Sequence, residues 1–91
     1  MKYYLLIYHV VEEYVKLRGP YREEHLRLAR EARSRGTLIL AGALADPVDQ
    51  AILVFRSQDR TVVEEFIRND PYVKSGIVRR WEIRPWTVVI E

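Results

Sequence analysis

His25 and Asp70 are the two side chains of this 91-residue sequence whose surroundings suit proton transfer. His25 stands in a run of Tyr21, His25, Leu28, Ala29 and Ala32, spaced as one face of a helix. Its ring should therefore turn inward, toward a core. Neutral imidazole titrates near pH ~6.5, which makes it a natural general acid or base. Arg22, one turn earlier, could hold an anionic group beside it. Asp70 extends a second stripe of Val62, Val63, Phe66 and Ile67, and should also point inward. A carboxylate at a helix C-terminus opposes the helix dipole, at a cost of ~0.3–1 kcal/mol. A positive partner is therefore expected close by, either His25 or an arginine. Plainer readings stand beside these. His25 could be a half-buried ring bonded to backbone, and Asp70-Pro71 could be a simple turn start.

Other residues offer less. His9 reads as a strand-end surface residue, and two histidines on separate elements do not make a metal site. Arg79 and Arg80 fall on opposite faces of a strand, so they form no single basic patch. Trp81 and Trp86 are expected in a core or a subunit interface. Ser34, Ser57 and Ser75 lack the context of an activated nucleophile. No glycine-rich phosphate loop is present.

The elements that must position the pair can be read from periodicity. Residues 2–11 form a strand rich in Tyr, Leu, Ile and Val, apolar on both faces. Residues 12–19 connect it, with at most a short helical turn, to a helix that starts at Gly19-Pro20. Glu23, Arg27, Glu31 and Arg35 give that helix a charged outer face, and Gly36 ends it as a left-handed cap. Residues 37–44 and 50–56 read as two strands joined by a hairpin-type connection. Ser57 or Asp59 caps a second helix. Pro71 ends that helix, because the residue before proline avoids helical geometry. Residues 72–76 read as a loop and residues 77–84 as a fourth strand, broken by Pro85-Trp86. A short β-prone tail follows. The order β-α-β-β-α-β predicts an α+β fold: a four-stranded antiparallel, ferredoxin-like sheet with two helices on one face.

Composition narrows the class. The chain is expected to be one domain, residues 1–91. A domain this small buries only about 60–65% of its unfolded surface, yet 48% of its residues are hydrophobic. Strands apolar on both sides, with helices on one side only, predict a homodimer or higher homo-oligomer that covers the open face. There is no cysteine, so neither a disulfide framework nor a thiolate metal site is available. The cysteine-free chain opens on no signal-peptide pattern, and a cytoplasmic location is expected. Its apolar runs fall short of the ~20 residues of a membrane span. A net charge of +2 is no nucleic-acid signature, and the aromatic, basic sheet surface of an RNA-binding domain is not seen. No cofactor or metal is expected.

Arg22-x-x-His25-Leu26, Gly36-Thr37-Leu38, Ala41-Gly42, Asp70-Pro71-Tyr72, Gly76 and Pro85-Trp86 resemble, in order, the pattern of the YCII-related (YciI-like) family. The resemblance covers nearly the whole chain. It implies a ferredoxin-like domain that pairs as a dimeric α/β barrel, and it matches His25 and Asp70 to the family's proposed His–Asp dyad. Arg22, Tyr72 and Gly42 are then the residues expected to bind substrate. The wider barrel group includes muconolactone isomerases, cofactor-independent monooxygenases and a dehydrochlorinase of chlorinated hydroxyquinol. The sequence departs from the family at Ala43, where proline commonly follows Ala-Gly, and in its short connection between strands two and three. The implied function is a small enzyme using acid–base chemistry, isomerisation or elimination, on a small aromatic or anionic compound. The alternative is a non-catalytic dimer that binds a metabolite in the same cleft.

Overall fold

The strand Lys2–Val10 (β1) buries Tyr4, Leu6, Tyr8 and Val10 on one face, the period of two that a pleated strand imposes. The computed structural model describes residues 1–91. β1 lies between Gln50–Ser57 (β3) and Val78–Trp86 (β4), antiparallel to both, and Leu38–Ala43 (β2) flanks β3. The order β2-β3-β1-β4 makes one four-stranded antiparallel sheet. Each long helix connects two strands that run the same way and leave room for a third between them. This is the split β-α-β arrangement of a ferredoxin-like fold.

The helix Gly19–Ser34 (α2) crosses from β1 to β2, and Thr61–Asn69 (α3) crosses from β3 to β4. Both cover the same face of the sheet. Ala32 of α2, Val63, Phe66 and Ile67 of α3, and Leu6, Leu53 and Phe55 of the sheet share one hydrophobic core. On the outer side of α2, Arg27 pairs with Glu24 and Glu31, and Arg35 with Glu31. The N-terminal partner of Arg27 is thus Glu24, three residues back, rather than Glu23. Gly36 adopts φ 81°. Gly36 N–H bonds to the carbonyl of Arg33 and Thr37 N–H to that of Ala32, so the last turn closes as a Schellman motif.

The connection after β1 contains the short helical turn expected there, Tyr14–Leu17 (α1), which buries Tyr14. Three expectations need correction. Residues 72–76 are no loop: Pro71–Lys74 forms a one-turn helix (α4), with Gly76 in the left-handed region behind it. Pro85 does not break the last strand, which runs on to Trp86. β4 is an edge strand, where a residue with no N–H to donate is tolerated. The tail after it is not a strand. Trp86 pairs with Tyr3, next to the first residue of β1, so the tail beyond Thr87 passes the start of β1 and has no strand to join. Val89 and Ile90 are exposed, and Glu91 accepts a hydrogen bond from the Tyr3 hydroxyl.

The far side of the sheet carries no helix. Tyr3, Leu5, Ile7, Ile52, Val54 and Leu40 lie there by register, with Trp86 beside Tyr3. Both tryptophans are partly exposed, so neither is a core residue of the single chain. His9 is not the surface residue expected from its place at a strand end. β3 and β4 shield it on either side, and its Nε2 lies 2.8 Å from Glu82. No helix is long and apolar enough to cross a membrane.

Candidate functional site

Three elements bring the site together at one end of the sheet. The first half of α2 supplies His25, the junction of α3 and α4 supplies Asp70, and the end of β1 supplies Tyr8. Pro71 forces Asp70 into an extended backbone, ψ 119°, which stops α3 and starts α4. The Asp70 carboxylate then caps α4: its Oδ1 accepts from Tyr72 N–H at 3.0 Å. The expected conflict with the dipole of α3 is thereby offset by the N-terminus of the next helix, an arrangement hidden by reading residues 72–76 as a loop.

The side chain of Asp70 is wholly buried. His25 Nδ1 lies 2.9 Å from its Oδ1 and 3.0 Å from its Oδ2, and the Tyr8 hydroxyl donates to Oδ2 at 2.7 Å. Three donors thus converge on a group that, when ionised, only accepts. Burial, together with the nearby Asp70 charge, pushes the Tyr8 phenol far above its ordinary value, so Tyr8 stays protonated and stays a donor. On the histidine, the Asp70 bond fixes the proton at Nδ1. That leaves Nε2 with the lone pair in the neutral ring.

The imidazole is held from its faces too. The Tyr72 ring stacks on it, 3.9 Å between centroids and 10° from parallel, and Phe66 meets it edge-on at 6.3 Å.

A cavity of about 200 Å³ opens beside this assembly. Tyr8, Tyr14, Arg18, Arg22, His25 and Tyr72 line its polar side. Ala41, Gly42 and Ala43 of β2 and Ala51 and Leu53 of β3 form its apolar floor. Arg22, Tyr72 and Gly42, the residues expected at a binding site, all reach it. A Cβ at Gly42 would meet nothing within 4 Å, so the space there does not depend on glycine. No cluster of three or more histidine or carboxylate side chains gathers to hold a metal.

Three site residues escaped the sequence reading. In the sequence Tyr8 reads as one more apolar residue of β1. Its place between inward-facing Leu6 and Val10 was the usable signal, since a buried tyrosine hydroxyl needs a partner. Tyr14 and Arg18 lie in a segment without periodicity. They stand one helical turn apart: Arg18 N–H bonds to the Tyr14 carbonyl, and the Arg18 guanidinium sits 5.2 Å above the Tyr14 ring.

Fold and site together define a ferredoxin-like α+β domain with a buried, hydrogen-bonded His–Asp contact beside a small cavity. The chain belongs to the YCII-related family, whose domain model matches residues 1–87. Among solved structures it is similar to the 5-chloro-2-hydroxyhydroquinone dehydrochlorinase TftG from Burkholderia phenoliruptrix AC1100 in complex with 2,5-dihydroxybenzoquinone. The TM-score there is 0.77 at 15% identity, over 93% of each chain. An antibiotic biosynthesis monooxygenase aligns at TM-score 0.61 and 14% identity, over 99% of this chain and 100% of that one. Protein Atu4242 from Agrobacterium tumefaciens aligns at 0.60 and 12%, over 96% and 92%. At these identities the likeness is one of fold. No curated protein matches the sequence.

Proposed function

We propose that this protein is a small cytoplasmic enzyme that moves a proton on a small ring compound, in an isomerisation or an elimination. The observation that carries this reading is His25, held through Nδ1 by a buried carboxylate and lining a cavity with Nε2 unused. In the forward step Nε2 takes a proton from a ring carbon. The electron pair left behind forms a new double bond; either a leaving anion departs, or the neighbouring double bond opens and its far carbon takes the proton back from Nε2. Asp70 orients the ring and stabilises the imidazolium, while Tyr8 and the Tyr72 N–H hold Asp70 in place. Arg22, Tyr72 and Gly42 border the substrate. The likeness in fold to a dehydrochlorinase of a chlorinated hydroxyquinol supports an elimination on a ring of this kind.

The test uses hydroxylated quinones and hydroquinones in D2O, with ring-proton exchange followed by NMR. A positioned acid–base group contributes about 10²–10⁴-fold. His25→Ala should abolish exchange above the buffer rate, and Asp70→Asn should lower it by at least tenfold. If both variants keep the wild-type rate, the dyad has no catalytic role. The alternative, a binding protein without turnover, draws on the complete hydrogen bonding of Asp70, which would serve a static site equally well. It predicts that ligands shift the His25 resonances while no exchange occurs.

We further propose that the open face of the sheet pairs with a second copy. Leu40 is 70% exposed and Trp86 48%, beside half-buried Leu5, Ile7 and Ile52. An apolar surface of this kind on one face of a sheet marks an interface.

A further inference from the structure

The Tyr72 hydroxyl is the one buried side-chain polar atom without a hydrogen-bond partner. Tyr72 is only 2% exposed, and it lines the cavity. Buried hydroxyls are almost always paired, so one that is not calls for an explanation. Its neighbours give one. Burial and the Tyr14 phenol raise the Tyr72 phenol above its ordinary value, while Arg22 and Arg18 act on it in the opposite direction. The oxygen therefore lies in the field of both guanidinium groups, and it carries a proton to donate.

Neither arginine is neutralised. Arg18 and Arg22 both line the cavity, and neither forms an ion pair. No aspartate or glutamate shares the lining. Asp70 lies behind His25, wholly buried and already accepting from three donors. The Arg18 guanidinium sits 5.2 Å over the Tyr14 ring, a contact that favours its place beside the cavity. Two cations lining a cavity without an acceptor, beside one buried donor that is still unpaired, are the complement of an anionic oxygen.

We propose that Arg18, Arg22 and the Tyr72 hydroxyl form an anion-binding subsite that selects single-ring compounds bearing a carboxylate or an ionised ring hydroxyl. The inference rests on the acid–base reading of the same cavity and names its substrate class. Size supports it: a dry cavity of roughly 150 Å³ holds benzene, so about 200 Å³ accommodates one ring with a substituent. The alanines of β2 and β3 offer the ring a flat apolar floor. With the anion at the arginines, the ring lies between them and His25, which stacks on the same Tyr72.

The test is a set of titrations by calorimetry on the full-length protein, with two pairs of probes. Benzoate is compared with benzamide, and 4-nitrophenolate with 4-nitroanisole. Each anion should bind at least tenfold tighter than its neutral counterpart, and 0.5 M salt should erode only the anion's affinity. The pair with the larger preference tells a carboxylate from an ionised hydroxyl. Tyr72→Phe should weaken the anion at least fivefold and leave the neutral probe within twofold. It should also melt no lower than wild type, since it removes a hydroxyl that has no partner. Arg18→Gln should show the same selective loss. The proposal falls if neither anion is preferred, or if Tyr72→Phe keeps the preference. It falls as well if Tyr72→Phe melts lower, since the hydroxyl would then have a partner within the chain. The same titrations on His25→Ala separate the two readings. A retained anion preference upholds the subsite even if the dyad proves to have no catalytic role.

Discussion

Asp70 accepts from donors on three different elements: His25 of α2, Tyr8 of β1 and the backbone of Tyr72 in α4. Loss of any donor leaves a buried carboxylate less satisfied. Tyr8→Phe removes a hydrogen bond to a charged group, a change of about 1.5–3 kcal/mol. Urea denaturation at pH 7 should show a loss of that order with an unchanged m-value. The same phenol shapes the alkaline limit. Its folded-state value lies far above the ordinary 10.0. Its contribution is therefore fully present below pH 10 and declines above it, as the unfolded chain ionises and the folded chain cannot. Each pH unit beyond that point costs about 1.4 kcal/mol for one such group. A series of melts between pH 9 and 11.5 should fall less steeply for Tyr8→Phe than for wild type.

At the scale of elements, two turns bound the helices that carry the site. Gly36 closes α2 with φ 81°, and a Cβ there would meet nothing within 4 Å. Only backbone strain should therefore register in Gly36→Ala, a loss of about 1–2 kcal/mol in denaturant titration, with the site unaltered. The second turn is Asp70-Pro71, where one residue ends α3 and caps α4. These two turns differ in how far the sequence disclosed them. The stripe through Tyr21, His25, Leu28 and Ala32 and the glycine behind it marked α2 and the inward histidine directly. Phe66 and Ile67 likewise aimed Asp70 at the core. The single turn of α4 was hidden, because four residues carry no period to detect. With it were hidden the cap on Asp70 and the stacking of Tyr72 on His25. Arg18 and Tyr14 were beyond sequence reading for a related reason: they reach the cavity from α1 and its C-cap, a single turn with no period of its own. Pro85 misled because proline's effect depends on whether a strand lies at the edge, and the sheet order decides that.

For the whole molecule, the mismatch between helices on one face and apolar strands on both is now located. Tyr3, Leu5, Ile7, Leu40, Ile52 and Val54 lie on the face that no helix covers. The His9–Glu82 pair sits on that face as well, on the side of the sheet opposite to Tyr8. If a second copy covers this surface, a charge placed in it should separate the copies without unfolding either. Leu40→Glu is the natural choice, since Leu40 is already 70% exposed in the single chain. Light scattering should report a dimer for wild type and a monomer for the variant, with the circular dichroism of both alike. A wild-type monomer at 100 μM would leave the open face without that role.

The proton-transfer reading meets its most direct test in the exchange of ring protons for deuterium in 2,5-dihydroxybenzoquinone. The measurement compares wild type, His25→Ala and Asp70→Asn at one pH. Acceleration over buffer by the wild type is expected, reduced to the buffer rate in His25→Ala and by at least tenfold in Asp70→Asn, for which about 10²–10⁴ is the range of a positioned acid–base group. No acceleration by the wild type, or equal acceleration by all three proteins, would contradict it.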